Sequence, residues 1–308
     1  MENYASSWKL EQLFTLKGPF VHLYTKPLET TLLVEDDEDR KVIMNLIALE
    51  SREQNIDVQA YALMSNHFHL ILQADEETSS VFYGKLHRRI VRYLGGSGKG
   101  KQFAEVISGT TRITSLKQFR DVVAYVIRNP FVVRDDVNLF ACLWCSGFLY
   151  FNPFLNAVSG KPGRELSYRE RRKICKTSDG DIPDGLMVEN GLILPQSYVN
   201  YRLVETLFGN ARQFLFWAIR NIEAQIEVAR SYGESLSLSD DELFKISRGI
   251  CRERFTSRSP SEMTEPQKKE LAMILRKDYF ASNGQIARLA GLELAIVNQL
   301  YPLTSKTR

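Results

Sequence analysis

The chain of 308 residues has only four cysteines (Cys142, Cys145, Cys175, Cys251) and four histidines (His22, His67, His69, His87). So few cysteines exclude a small secreted scaffold stapled by disulfides. No run approaches the roughly 18 apolar residues of a membrane-spanning helix. The opening Met-Glu-Asn-Tyr has neither the basic nor the apolar part of a secretory leader. The expectation is a soluble, reduced, cytoplasmic protein with no membrane partner. Net charge is also scarce: 40 Lys and Arg against 37 Asp and Glu give +3, which argues against a histone-like or disordered polycation. Neither internal repeats nor low-complexity tracts are evident, and at about 150 residues per domain the length fits two domains.

The small net charge conceals a pattern. Residues 29–77 hold twelve acids against three bases, a net of −9. Residues 83–134 hold eleven bases against two acids, a net of +9. A basic segment of this density suits a phosphate backbone, and a solvated helix face is the bland alternative. Its candidate nucleic-acid contacts are Lys85, Arg88, Arg89, Arg92, Lys99, Lys101, Arg112, Lys117, Arg120 and Arg128.

Hydropathy patterning gives an order of elements. The aromatic and β-branched stretch 20–25 reads as a strand, and 37–54 as an amphipathic helix whose acidic start caps it. Stretches 58–64 and 67–73 read as strands joined through Ser65-Asn66 in a hairpin. A helix covers about 78–94, and another runs from Ser115 to Arg128, where Asn129-Pro130 should stop it. This β-α-β-β-α order predicts an α+β fold with helices on an antiparallel sheet. Residues 159–195 are rich in Gly and Pro and read as a linker with one short helix after Ser167. From 196 to 308 only helices are expected, near 197–208, 211–231, 240–254, 265–279, 284–290 and 294–301.

His67 and His69 are two apart on a strand, so both imidazoles share one face. Neutral imidazole is the commonest nitrogen ligand for a divalent metal. A polar-partnered histidine pair is the structural alternative. Tyr125 and Asn129 are four apart on a helix and share a face.

The stretch Tyr61-Ala62-Leu63-Met64-Ser65-Asn66-His67-Phe68-His69, followed by Tyr125-Val126-Ile127-Arg128-Asn129-Pro130, resembles the single-tyrosine HUH endonucleases. Within them it is most similar to the REP-associated tyrosine transposases. The resemblance covers roughly residues 14–155. It implies a ferredoxin-like or RRM-like core in 1–158, with His67, His69 and Asn129 holding Mg²⁺ or Mn²⁺. It also implies that Tyr125 attacks a phosphodiester of single-stranded DNA carrying hairpin repeats, leaving a 5′-phosphotyrosine link and a free 3′-hydroxyl. Whether Tyr125 serves its own chain or a homodimer partner is left open. The sequence departs from the family at Gly100–Val106, where an expected Arg is missing, and at Ile127, where many relatives have His.

The bond energy retained in a phosphotyrosine makes a nucleotide unnecessary for rejoining. Gly95-Gly96-Ser97-Gly98-Lys99-Gly100-Lys101-Gln102 nearly spells a phosphate-binding loop, but Gln102 stands where the motif needs Ser or Thr. Cys142-x-x-Cys145 has no matching second pair and reads as packing.

In the helical tail, residues 267–301 look like a helix-turn-helix, with Gly291 at the turn. Gln285, Arg288, Asn298 and Gln299 are its candidate contacts to duplex DNA, the last two on the helix placed to enter a major groove. The rival readings are a rolling-circle or transfer initiator using the same chemistry, and a DNA-binding regulator with a retired catalytic domain.

Overall fold

The computed structural model describes residues 2–26, 33–34, 36–96, 100–133, 140–155, 160–176, 180–218, 240–256, 260–279 and 281–302. They belong to two units, residues 1–130 with 137–220, and residues 131–136 with 221–308.

The first unit is α+β. Its sheet has strands β1 (Phe20–Thr25), β2 (Asp57–Leu63), β3 (Phe68–Gln73) and β4 (Ser108–Ile113). The spatial order is β2-β3-β1-β4, with every neighbouring pair antiparallel. Helix α1 (Glu2–Lys17) precedes β1. Helix α2 (Asp37–Glu53) joins β1 to β2, and α3 (Glu76–Gly95) with the short α4 (Gly100–Ala104) joins β3 to β4. This is the ferredoxin-like βαββαβ order. Helices α2 and α3 touch each other, as expected when both crossovers take the usual hand and lie on one face of the sheet.

The acidic run before α2 does local work. Asp36 caps the helix by accepting from the Asp39 N–H at 2.8 Å, and the acids behind it favour the positive end of the helix dipole. Every residue from Val42 to Ser51 is buried, so α2 is covered all round rather than along one stripe. The covering comes from residues 160–195. This segment is folded, not a linker: β5 (Lys161–Pro162), β6 (Met187–Glu189) and β7 (Leu192–Ile193) form a second sheet, with α6 (Tyr168–Cys175) between β5 and β6. Buried Asn45 on α2 donates to the Gly191 carbonyl at 2.8 Å and accepts from the Ile193 N–H at 2.7 Å. The glycines and prolines read as linker residues instead serve short strands and tight turns, as at Gly191 with φ +81°. The short helix expected after Ser167 is present and has a capping box with Glu170.

Helix α5 (Leu116–Val133) also departs from expectation, since it runs through Pro130 rather than stopping at Asn129. Proline has a helical φ and omits one backbone donor, so a helix can continue past it with one ladder bond missing. At this turn Asn129 Nδ2 donates to the Tyr125 carbonyl at 3.1 Å. Helices α7 (Tyr201–Phe208) and α8 (Ala211–Ala218) also belong to the first unit, so its end lies near 220, beyond the 158 expected. Arg120 on α5 fixes this by donating twice to the Leu207 carbonyl, at 2.9 and 2.6 Å. Of the helix expected over 211–231, residues 219–231 lie outside the described residues.

The second unit is helical: α9 (Asp240–Phe255), α10 (Glu265–Tyr279), α11 (Asn283–Ala290) and α12 (Leu294–Leu300). Ser282 and Gln285 form a capping box at the start of α11, and left-handed Gly291 ends it. Leu271, Leu275, Ile286 and Val297 are buried where α10, α11 and α12 meet. The helices and the turn fall where the sequence placed them. Among the described residues no helix is long and apolar enough to cross a membrane.

Candidate functional site

Strand alternation and register decide which side chains meet. Tyr24 on β1 stands opposite His69 on β3, and His22 opposite Ile71. Residues paired across antiparallel strands share a face, so His22, Tyr24 and His69 lie together, while Val21, Leu23, Phe68 and Leu70 face the other way. Tyr125 on α5 covers the histidine face. Its ring meets His69 edge-on at 5.5 Å between centroids and His22 at 6.1 Å. His67 and His69 are 4.9 Å apart, also edge-on. His22 and His69 stack at 5.3 Å. Tyr24 lies 5.2 Å from His22 and 6.4 Å from His69. Gly109 makes room for it, because a Cβ there would stand 2.3 Å from Tyr24 Cζ.

The cluster is almost dry. His22 is 0%, His69 and Tyr125 each 3%, and His67 and Asn129 each 7% exposed. Burial pushes the imidazole of His22 down to about 3 and that of His67 to about 4, and it holds His69 well below its ordinary range. All three are therefore neutral near pH 7, the form that can ligate a metal.

The hydrogen bonds set the tautomers. His67 Nδ1 lies 2.7 Å from Asn66 Oδ1. That oxygen only accepts, so Nδ1 carries the proton and Nε2 keeps its lone pair. His69 Nδ1 lies 3.2 Å from His22 Nε2. The bond from Asn129 Nδ2 to the Tyr125 carbonyl uses the amide's donor and leaves its Oδ1 out of the helix ladder. In a donor set of two neutral imidazoles and an amide oxygen, the oxygen suits Mg²⁺ or Mn²⁺, and the imidazoles suit more readily the later divalent transition metals. Among the described residues no group of three His, Cys, Asp or Glu side chains could hold a metal, and the expected set differs in using Asn129.

The basic residues divide. Lys85, Arg88 and Arg92 are exposed along α3, on the sheet face away from the histidines. Arg89 pairs with buried Glu50 at 3.2 Å and with Glu53 at 2.7 Å on α2. The acidic and basic halves thus neutralise each other in part across the α2–α3 contact. Arg112 pairs in register with Val21, and so also projects from the far face. Lys117, Arg120 and Arg128 share α5 with Tyr125. Lys117 is exposed and bonds Asp121 at 2.9 Å, Arg120 is committed to Leu207, and Arg128 is buried. Lys99 and the side chain of Lys101 lie outside the described residues.

In the second unit Arg288, Asn298 and Gln299 are exposed and Gln285 is half-buried. Gln285 Oε1 accepts from the Ser282 N–H at 3.0 Å, and Asn298 Oδ1 accepts from Asn283 Nδ2 at 2.8 Å.

Cys142 and Cys145 are free thiols in a turn that clamps β2. The Leu63 N–H donates to the Trp144 carbonyl at 2.8 Å, and Tyr61 Oη donates to the Leu143 carbonyl at 2.9 Å. His22 and Tyr24 were missed as site residues. The sequence places both on a strand, but only the register with β3 brings them to His69.

No protein-family model, curated protein or solved structure matches this chain.

Proposed function

We propose that the first unit is a metal-dependent single-stranded DNA endonuclease and transposase of the single-tyrosine type, with Tyr125 as nucleophile. The observation that carries this reading is the meeting of His67, His69 and Tyr125 on one sheet face, with centroids 4.9 and 5.5 Å apart. His67 and His69 through Nε2, and Asn129 through Oδ1, would hold Mg²⁺ or Mn²⁺. Such an ion neutralises charge on a scissile phosphate and draws electrons from phosphorus.

The Tyr125 hydroxyl gives up its proton and its oxygen bonds to the phosphorus, the P–O3′ bond breaks, and the leaving 3′ oxygen takes up a proton, so the upstream strand departs with a 3′-hydroxyl. The downstream strand stays on Tyr125 through its 5′-phosphate. Attack by a 3′-hydroxyl on this ester reverses the step with no nucleotide consumed. Because Asn129 and Tyr125 are one helical turn apart, phosphate position and attack geometry are coupled. The second unit, through α12 and its exposed Asn298 and Gln299, is proposed to bind duplex DNA beside the target.

A hairpin-bearing single strand labelled at its 5′ end, with full-length protein and Mn²⁺, tests this. A shortened product with an extendable 3′-hydroxyl is expected, and Tyr125→Phe should abolish it. Uncut strand across a range of hairpin sequences counts against the reading.

The burial of Tyr125, 3% exposed, favours a second reading, a DNA-binding regulator whose catalytic domain is retired. A Tyr125→Phe protein that keeps full biological activity supports that one.

A further inference from the structure

We propose that His22 is a positioning residue, which holds His69 in the tautomer protonated on Nδ1 and so leaves Nε2 of His69 to ligate. This rests on the reading of His67 and His69 as metal ligands.

A ligating imidazole needs its coordinating nitrogen bare and its other nitrogen bonded to an acceptor, which fixes both tautomer and ring angle. For His67 the acceptor is its sequence neighbour, Asn66 Oδ1, at 2.7 Å. For His69 the atom in the same place is His22 Nε2, at 3.2 Å. The two arrangements match: each Nδ1 is held from behind by a fixed partner. The rings themselves lie 4.9 Å apart.

His22 suits the part. It is fully buried on the central strand β1 and stacks on His69 with ring planes 20° apart. Thr111 stands opposite it on β4 and Tyr125 crosses its edge. Its Nε2 can accept when the proton of the ring sits on Nδ1. Only one proton fits between the two facing nitrogens of this bond. Placing that proton on His22 Nε2 instead would put a hydrogen on Nε2 of His69 and block ligation.

The test is long-range ¹H–¹⁵N correlation on metal-free, full-length protein labelled at histidine, paired with Mn²⁺ titration by electron paramagnetic resonance. His69 is expected to carry its proton on Nδ1 in the wild type and in His22→Gln, whose Oε1 can still accept. In His22→Phe the proton should move to Nε2, and Mn²⁺ affinity should fall roughly 10–100-fold. Affinity in His22→Gln should stay within a few-fold of wild type.

A wild-type His69 protonated on Nε2, or equal Mn²⁺ affinity in wild type and His22→Phe, overturns the proposal. Should His22→Phe not fold, the wild-type tautomer and the His22→Gln titration still decide it. An Nδ1–H tautomer in a wild type that binds no Mn²⁺ supports the action of His22 on His69 and overturns the metal reading alone.

Discussion

Tyr125 lies edge-on against His69, with ring centroids 5.5 Å apart and planes at 81°. One ring comes from the helix that follows the sheet and the other from a central strand. The contact unites two motifs that the chain keeps in separate stretches, and the following predictions bear on how it is supported.

The first unit should end near residue 220. Arg120 bonds the Leu207 carbonyl, α7 packs on β2 and α1, and the ring of Phe214 meets Tyr150 and Phe208 at 5.3 and 5.1 Å. A chain cut after 220 should remain folded by circular dichroism and cleave a short single strand. A chain cut after 195 should lose cooperative unfolding. Equal stability of the two would show that α7 and α8 are dispensable.

Asn45→Ala should destabilise the chain by about 1–3 kcal/mol, because the half-buried Gly191 carbonyl and the buried Ile193 N–H lose their partner. Limited proteolysis should then cut within 160–195 first. Unchanged melting and no new cleavage there would mean that the second sheet holds without Asn45.

Gly109→Ala should cost about 1–3 kcal/mol, since the new Cβ would meet the Tyr24 ring at 2.3 Å. Tyr24 touches His22 and His69, so their ring proton shifts should move as well. Shifts that stay in place would disconnect Tyr24 from the site.

Acid should destabilise the metal-free protein early. In the unfolded chain these histidines titrate near 6.5, whereas burial lowers His22 to about 3 and His67 to about 4. Below 6.5 the unfolded chain therefore binds protons that the fold refuses, and unfolding gains. Each such histidine should remove about 1.4 kcal/mol per pH unit until its folded value is reached. Stability should be full above pH 6.5 and fall steeply towards pH 5. A flat melting temperature across that interval would contradict the buried, neutral cluster.

Cys142 should be the reactive thiol. A hydrogen bond from the Cys145 side chain holds it at about 7, while the same bond and burial push Cys145 well up. Iodoacetamide labelling of Cys142 should rise through about pH 7 and flatten by pH 8, with Cys145 unlabelled. Equal labelling of both would overturn the asymmetry.

The residues of the candidate site were easier to pick out in the sequence than their setting. Strands β1 to β3 and helix α2 follow from their apolar runs, which are buried on all sides, and α3 and α5 from the helical spacing of their apolar residues. Strand β4 did not, since Ser-Gly-Thr-Thr-Arg-Ile is polar and half-exposed at the sheet edge. Helix α1 has no clean apolar face, with Trp8 61% and Leu16 79% exposed. The 159–195 segment misled because turn residues look alike in a linker and in a small sheet. The basic run suggested a strand path, yet Arg89 and Arg120 are spent inside the fold and the α3 stripe lies on the far face. Such pairings depend on which helices touch, and local pattern does not carry that.

The most direct test is the identity of the covalent product. Full-length protein incubated with Mn²⁺ and hairpin-bearing single strands should gain the mass of the downstream strand fragment, and peptide mapping should place it on Tyr125. Absence of any adduct across such strands, or an adduct on another residue such as Tyr24, would contradict the account.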